Sequence, residues 1–165
     1  MIKKASARNR FLTLALGITL GLAVVLTLVL MLVPEKEDRS VETQGFLLFE
    51  DGERRACTLR VQGTLSTYAF DKDAPIFEGS FEVDGKAVDA VYLTFDGDCA
   101  APKTEGANAV LKKDMAFAAQ FTQDGRTCLL LAPAADEAAA QQLLAQFLSD
   151  SAFARRQGWE AYQSK

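Results

Sequence analysis

From residue 11 to residue 33 no charge interrupts the chain, and only Thr13, Gly17, Thr19, Gly21 and Thr27 fall outside the apolar set. At about 1.5 Å per residue this run reaches roughly 34 Å as a helix, slightly more than a hydrocarbon core of about 30 Å. Pro34 opposes further helix, and Glu35, Lys36, Glu37, Asp38 and Arg39 belong in water. The pattern predicts a transmembrane helix over residues 11–33, with the lipid bilayer as its partner. A cleaved signal peptide shares the plan of basic residues before an apolar run. Its apolar region is usually about 7 to 15 residues and ends at a small-residue site, which Leu32-Val33-Pro34-Glu35 does not offer. The expectation is an uncleaved signal anchor. Residues 1–10 form a basic tail with Lys3, Lys4, Arg8 and Arg10, and the positive-inside rule places it in the cytoplasm and the remainder outside.

Residues 34–44 are polar and read as a juxtamembrane linker. Beyond them the period changes to two. Residues 46–50 are a short apolar run, and residues 56–65 put Cys57, Leu59, Val61 and Leu65 on one face against Thr58, Arg60, Gln62 and Thr64. Phe77, Gly79, Phe81 and Val83 alternate with polar residues, as do Val91, Leu93 and Phe95; Phe117, Ala119 and Phe121 form another alternating set. Residues 127–132 are almost continuously apolar, and a weaker strand is expected at 107–111. Asp51-Gly52, Asp84-Gly85 and Asp124-Gly125 fall between these runs, and Asp-Gly suits tight hairpins because both positions tolerate φ > 0. Residues 71–75 are expected to turn the chain between the second and third strands, with Pro75 where no ladder donor is needed.

After Pro133 the period becomes helical: Ala140, Leu143, Leu144, Phe147 and Leu148 share a face, and Asp136 and Glu137 sit where a helix N-terminus favours acids. Phe153, Trp159 and Tyr162 carry an apolar thread past this helix, as a second short helix or a docked coil. The expected fold class is therefore a single N-terminal transmembrane helix followed, over residues 45–165, by an α+β outer domain. That domain is an antiparallel β-meander of six or seven strands, a roll or partly open barrel, closed by a C-terminal helix. In outline it is similar to small pleckstrin-like rolls or an incompletely closed calycin-like barrel, a similarity of shape that assigns no function.

Composition narrows the chemistry. The 165 residues suit one folded domain plus the anchor. With 4 cations and no acid before residue 34, the rest carries 14 cations against 22 acids. Such an acidic domain lacks the basic stripe that nucleic acid demands. There is no histidine, which removes the commonest general base and metal ligand.

Several residues are nonetheless candidates. Cys57, Cys99 and Cys128 permit one disulfide, with Cys57 and Cys128 the favoured pair, or three buried thiols. Asp71, Asp73, Asp96 and Asp98 resemble fragments of a calcium site or a carboxylate pair, but no Asp-x-Asp-x-Asp-Gly loop exists and turn formation accounts for each of them. No catalytic residue, cofactor site or metal site is assigned. The loop over 96–108 is the longest break between confident strands, and long loops on rigid sheets often bind. Arg54-Arg55 and Arg155-Arg156 read as solvated pairs, and Trp159 and Tyr162 as tail residues packed on the sheet. Gly17 and Gly21 make a GxxxG pair that suits a weak homodimer of membrane helices.

The functional expectation is a membrane-anchored extracytoplasmic binding or protein-interaction module, meeting its partner at the membrane surface of a bacterial envelope. The alternatives are an anchored envelope enzyme using carboxylates or a lone thiol, and an assembly subunit acting through its membrane helix.

Overall fold

The computed structural model describes residues 2–103 and 108–163, without the side chains of residues 2–11 and Asp73. Two compact units are present. The first holds the N-terminal helix together with Tyr68–Phe70, and the second holds Lys36–Thr67 and Asp71–Lys165.

In the first unit, α1 (Ile2–Leu32) contains an apolar stretch, Leu12–Leu32, of 21 residues with mean hydropathy 2.6 and no buried side chains. Such a helix is a membrane anchor or a signal sequence by its composition. The three threonines do not contradict this, because hydroxyls can be satisfied inside the helix. Thr19 donates to the Ala15 carbonyl at 2.9 Å and Thr27 to the Ala23 carbonyl at 2.8 Å, which spares lipid contact with an unpaired O–H.

The second unit is a closed antiparallel barrel of eight strands in chain order: β1 (Glu35–Phe49), β2 (Arg54–Tyr68), β3 (Asp71–Val83), β4 (Lys86–Asp96), β5 (Cys99–Ala101), β6 (Asn108–Lys112), β7 (Phe117–Gln123) and β8 (Arg126–Ala132). Closure comes from β1 and β8, paired from Phe46 with Leu131 to Phe49 with Cys128. The meander is thus complete and carries one strand more than the pattern's upper count. The three Asp-Gly pairs lie at the β1–β2, β3–β4 and β7–β8 turns, as their chemistry requires. In two of them the Asp itself takes positive φ, 51° at Asp84 and 52° at Asp124, closing Val83 on Lys86 and Gln123 on Arg126.

Period two explains the interior. Inside the barrel lie Leu47, Phe49, Leu59, Val61, Phe77, Phe81, Leu93, Phe95, Phe117, Cys128 and Leu130. The continuous apolar run of β8 is a strand buried on both faces: Cys128 and Leu130 point inward, while Leu129 and Leu131 lie under helix α2 (Glu137–Asp150). That helix starts at Asp136, whose carboxylate accepts from the Ala139 N–H at 2.8 Å, and it buries Ala140, Leu143, Leu144, Phe147 and Leu148. A short α3 (Ala152–Arg156) and a 3-10 turn (Trp159–Tyr162) complete the cover. Trp159 is wholly buried; its indole N–H donates to Gln120 Oε1 at 3.2 Å, and Gln120 Nε2 donates to the Tyr162 hydroxyl at 3.3 Å. The tail is docked on the sheet, with Tyr162 O–H donating in turn to Glu50.

Three local readings change. Residues 35–44, expected as a linker, are the first two thirds of β1; their alternation is invisible because both faces are largely exposed. The turn expected at 71–75 lies earlier, since β3 begins at Asp71, and Pro75 stands just before the β3–β4 register opens at Ile76 and Thr94. The loop at 96–108 contains β5, whose Ala100 pairs with Phe95 and with Leu111. The weaker strand is β6; Ala107, its expected first residue, lies outside the described residues.

Candidate functional site

Barrel strands of unequal length leave one end open. The inward residues Leu65 of β2, Pro75 and Phe77 of β3, Phe95 of β4 and Leu111 of β6 meet Met115 around a cavity of about 270 Å³. It goes no deeper because the middle of the barrel is filled: the Phe81 ring lies 5.1 Å from that of Phe117 and 5.8 Å from that of Phe121. Arg39, Lys112 and Lys113 complete the lining; the Lys112 ammonium turns away to Asp150 of α2, which leaves Arg39 and Lys113 as the charges beside this apolar mouth.

The turn that carries two of these cations is held tightly. The Ala116 N–H donates to Asp114 Oδ1 at 3.1 Å, the Met115 N–H to the Lys112 carbonyl at 2.9 Å, and the Lys113 N–H to the Asp98 carbonyl at 3.1 Å. Met115 adopts φ 67°, a left-handed conformation that a long side chain takes only when its surroundings impose it. The imposed turn directs Met115 onto the mouth, where it is partly buried against the barrel core. Lys112 Nζ bonds Asp150 at 2.9 Å, which raises the ammonium pKa and lowers that of the carboxyl, and it lies 6.0 Å from the Phe147 ring centre. Lys113 pairs with Asp98 at 3.3 Å and Arg39 with Glu37 at 2.8 Å, both in solvent. Exposed pairs of this sort are worth only about 0–1 kcal/mol, so an incoming anion can replace either carboxylate.

The residues singled out by pattern go elsewhere. Cys57 and Cys128 point into the barrel, whereas Cys99 faces α2 on the other side of the wall; all three are free, buried thiols. Burial pushes the Cys57 thiol up to about 12, that of Cys128 up to about 11, and that of Cys99 in the same direction. Asp71 opens β3, and Asp96 and Asp98 flank Gly97 at the β4–β5 turn. The Asp73 side chain lies outside the described residues. Among the described residues no three Cys, Asp or Glu side chains converge on a metal-sized site. Arg54 and Arg55 are not merely solvated: Arg54 pairs with Glu137 at 3.4 Å and Arg55 with Asp84 at 3.7 Å. Arg155 closes the end of α2 by donating to the Leu148 and Ser149 carbonyls.

None of the mouth residues was legible as a site. Leu65, Phe77, Phe95 and Leu111 look like core in any alternating strand, and Lys112-Lys113-Asp114-Met115 has no glycine to announce its left-handed turn. By fold the chain belongs to the class of up-and-down eight-stranded β-barrels, here preceded by one apolar helix and followed by a helical cover. Comparison with protein-family models, with curated proteins and with solved structures gives no match.

Proposed function

We propose that the protein is a membrane-anchored extracytoplasmic binding module. Residues 11–33 hold it in the cell membrane with the N-terminus in the cytoplasm, and the barrel mouth takes a short apolar group that ends in an anion. The observation that carries this reading is the mouth itself: an apolar lining of Phe77, Phe95, Leu111 and Met115 with the cations Arg39 and Lys113 beside it. Ligand sites are concave and mostly apolar, with a few polar groups that set orientation. At about 270 Å³ this one is slightly smaller than the usual range of roughly 300–1,000 Å³, which suits a short chain rather than a large ring system. The helix supports the location. Within it, Gly17 and Gly21 have nothing near their absent side chains, which leaves room for a second copy to pack weakly there.

The test is a headgroup series on the full chain in detergent micelles: octanoate, octanol and octylammonium, followed by calorimetry. Octanoate is expected to bind with a dissociation constant on the order of 0.1 mM. Octylammonium should bind at least about ten-fold more weakly, and Leu65→Trp, which fills the mouth, should abolish octanoate binding. Equal binding of all three compounds, or octanoate binding that survives Leu65→Trp, would remove the mouth from the reading.

A further inference from the structure

Hairpin tips are ordinarily polar, because they run through water and use Gly, Asn, Asp and Ser. The β2–β3 tip is not. Beyond residue 33, Phe70 and Tyr92 are the large hydrophobic side chains that the described residues leave exposed, Phe70 at 64%. The Tyr68 and Phe70 rings lie 5.5 Å apart, tilted at 44°, so the tip presents one joined aromatic surface. Tyr68–Phe70 also falls in one compact unit with the apolar helix rather than with the barrel.

Chain direction gives the same placement. Helix α1 ends at Leu32 and β1 begins at Glu35, so β1 starts beside the helix end. Strand β2 returns antiparallel to β1, and Thr64 Oγ1 donates to Asp38 Oδ1 at 2.8 Å, which sets the register near that end. Four residues after Thr64 the chain reaches Tyr68. The aromatic tip is therefore carried back to the level at which the chain leaves the helix. Asp71 and Lys72, both exposed, follow it at once and return the chain to water.

Resting on the membrane-anchor reading, we infer that Tyr68–Phe70 is a second membrane contact, with the Phe70 ring inserted at the interface of the bilayer that the helix crosses. Aromatic side chains concentrate at that depth, where an apolar ring leaves water while its polar neighbours stay among headgroups. The Tyr68 hydroxyl and the Lys72 ammonium suit the headgroup layer.

The test reconstitutes full-length Phe70→Trp in phosphatidylcholine–phosphatidylglycerol vesicles whose acyl chains are brominated. The parent chain supplies the baseline, since its one tryptophan, Trp159, is wholly buried. Phe70 is exposed, so the larger ring is accommodated without repacking. The added emission should be blue-shifted, lose roughly half its intensity to brominated lipid, and resist aqueous acrylamide. Emission that stays red-shifted and open to acrylamide, in protein that alkaline carbonate does not extract, overturns the tip contact and leaves the anchor standing. Emission shielded from acrylamide yet untouched by bromine indicates a protein neighbour and also overturns it. Extraction by carbonate overturns the anchor, and the tip contact with it.

Discussion

Cys57 and Cys99 illustrate how a single residue's chemistry is set by which side of a strand it occupies. Both lie in β-strands, yet one points into the barrel and the other under α2, with the wall between them. Burial raises both thiols, and it raises Cys128 to about 11 and the Tyr162 hydroxyl to about 12. All four groups are neutral when protonated, so the folded chain keeps protons that the unfolded chain releases. The stability they contribute is complete below the ordinary thiol value of 9.0 and is lost as pH rises through about 11 to about 12. The urea midpoint of the full chain in micelles should therefore fall between about pH 8 and about pH 11, and an unchanged midpoint would contradict the burial argument. At about pH 8 the native chain should also resist iodoacetamide at all three cysteines, then react at each once unfolded. Met115 is the residue-scale counterpart at the mouth, holding φ 67° where glycine would be easier.

Where β2 and β3 pass each other, two elements depend on glycine for want of space. A Cβ on Gly79 would fall 2.2 Å from the Gln62 carbonyl oxygen and 2.8 Å from the Gly63 Cα, and one on Gly63 would fall 2.4 Å from the Glu78 carbonyl oxygen. Backbone cannot yield as a flexible side chain does. Gly79→Ala should cost about 2–3 kcal/mol and lower the thermal midpoint by several degrees, whereas Gly17→Ala, with nothing within 4 Å, should leave it unchanged. Equal midpoints for the two variants would show that the strands separate at no cost. Element existence was largely legible in the chain: β2, β4, β6, β7, β8 and α2 fall on their patterned residues, and three hairpins sit on Asp-Gly. The misses share one cause. Periodicity records burial on one face, so the first part of β1, the start of β3 and the short β5 left no alternation to read.

For the whole molecule, the proposed orientation rests on the basic tail, and closure comes from the β1–β8 pairing. A phosphatase that is active only outside the cytoplasm, fused after Lys165, should be active in bacterial cells. Replacing Lys3, Lys4, Arg8 and Arg10 with Glu should lower that activity about ten-fold, and an inactive parent fusion would reverse the assigned topology. The apolar run, the strand periods and the helix cap are local properties of neighbouring residues, so the order of elements followed from the chain alone: one apolar helix, a meander, a helical cover. Joining β1 to β8 brings together residues some 80 positions apart, from Phe49 to Cys128, and the mouth gathers Arg39, Leu65, Phe95 and Met115 from four separate segments. No local pattern encodes such a meeting, because each of these residues satisfies its own strand or turn equally well without the others. The cavity and the cations beside it exist only once the chain has closed on itself.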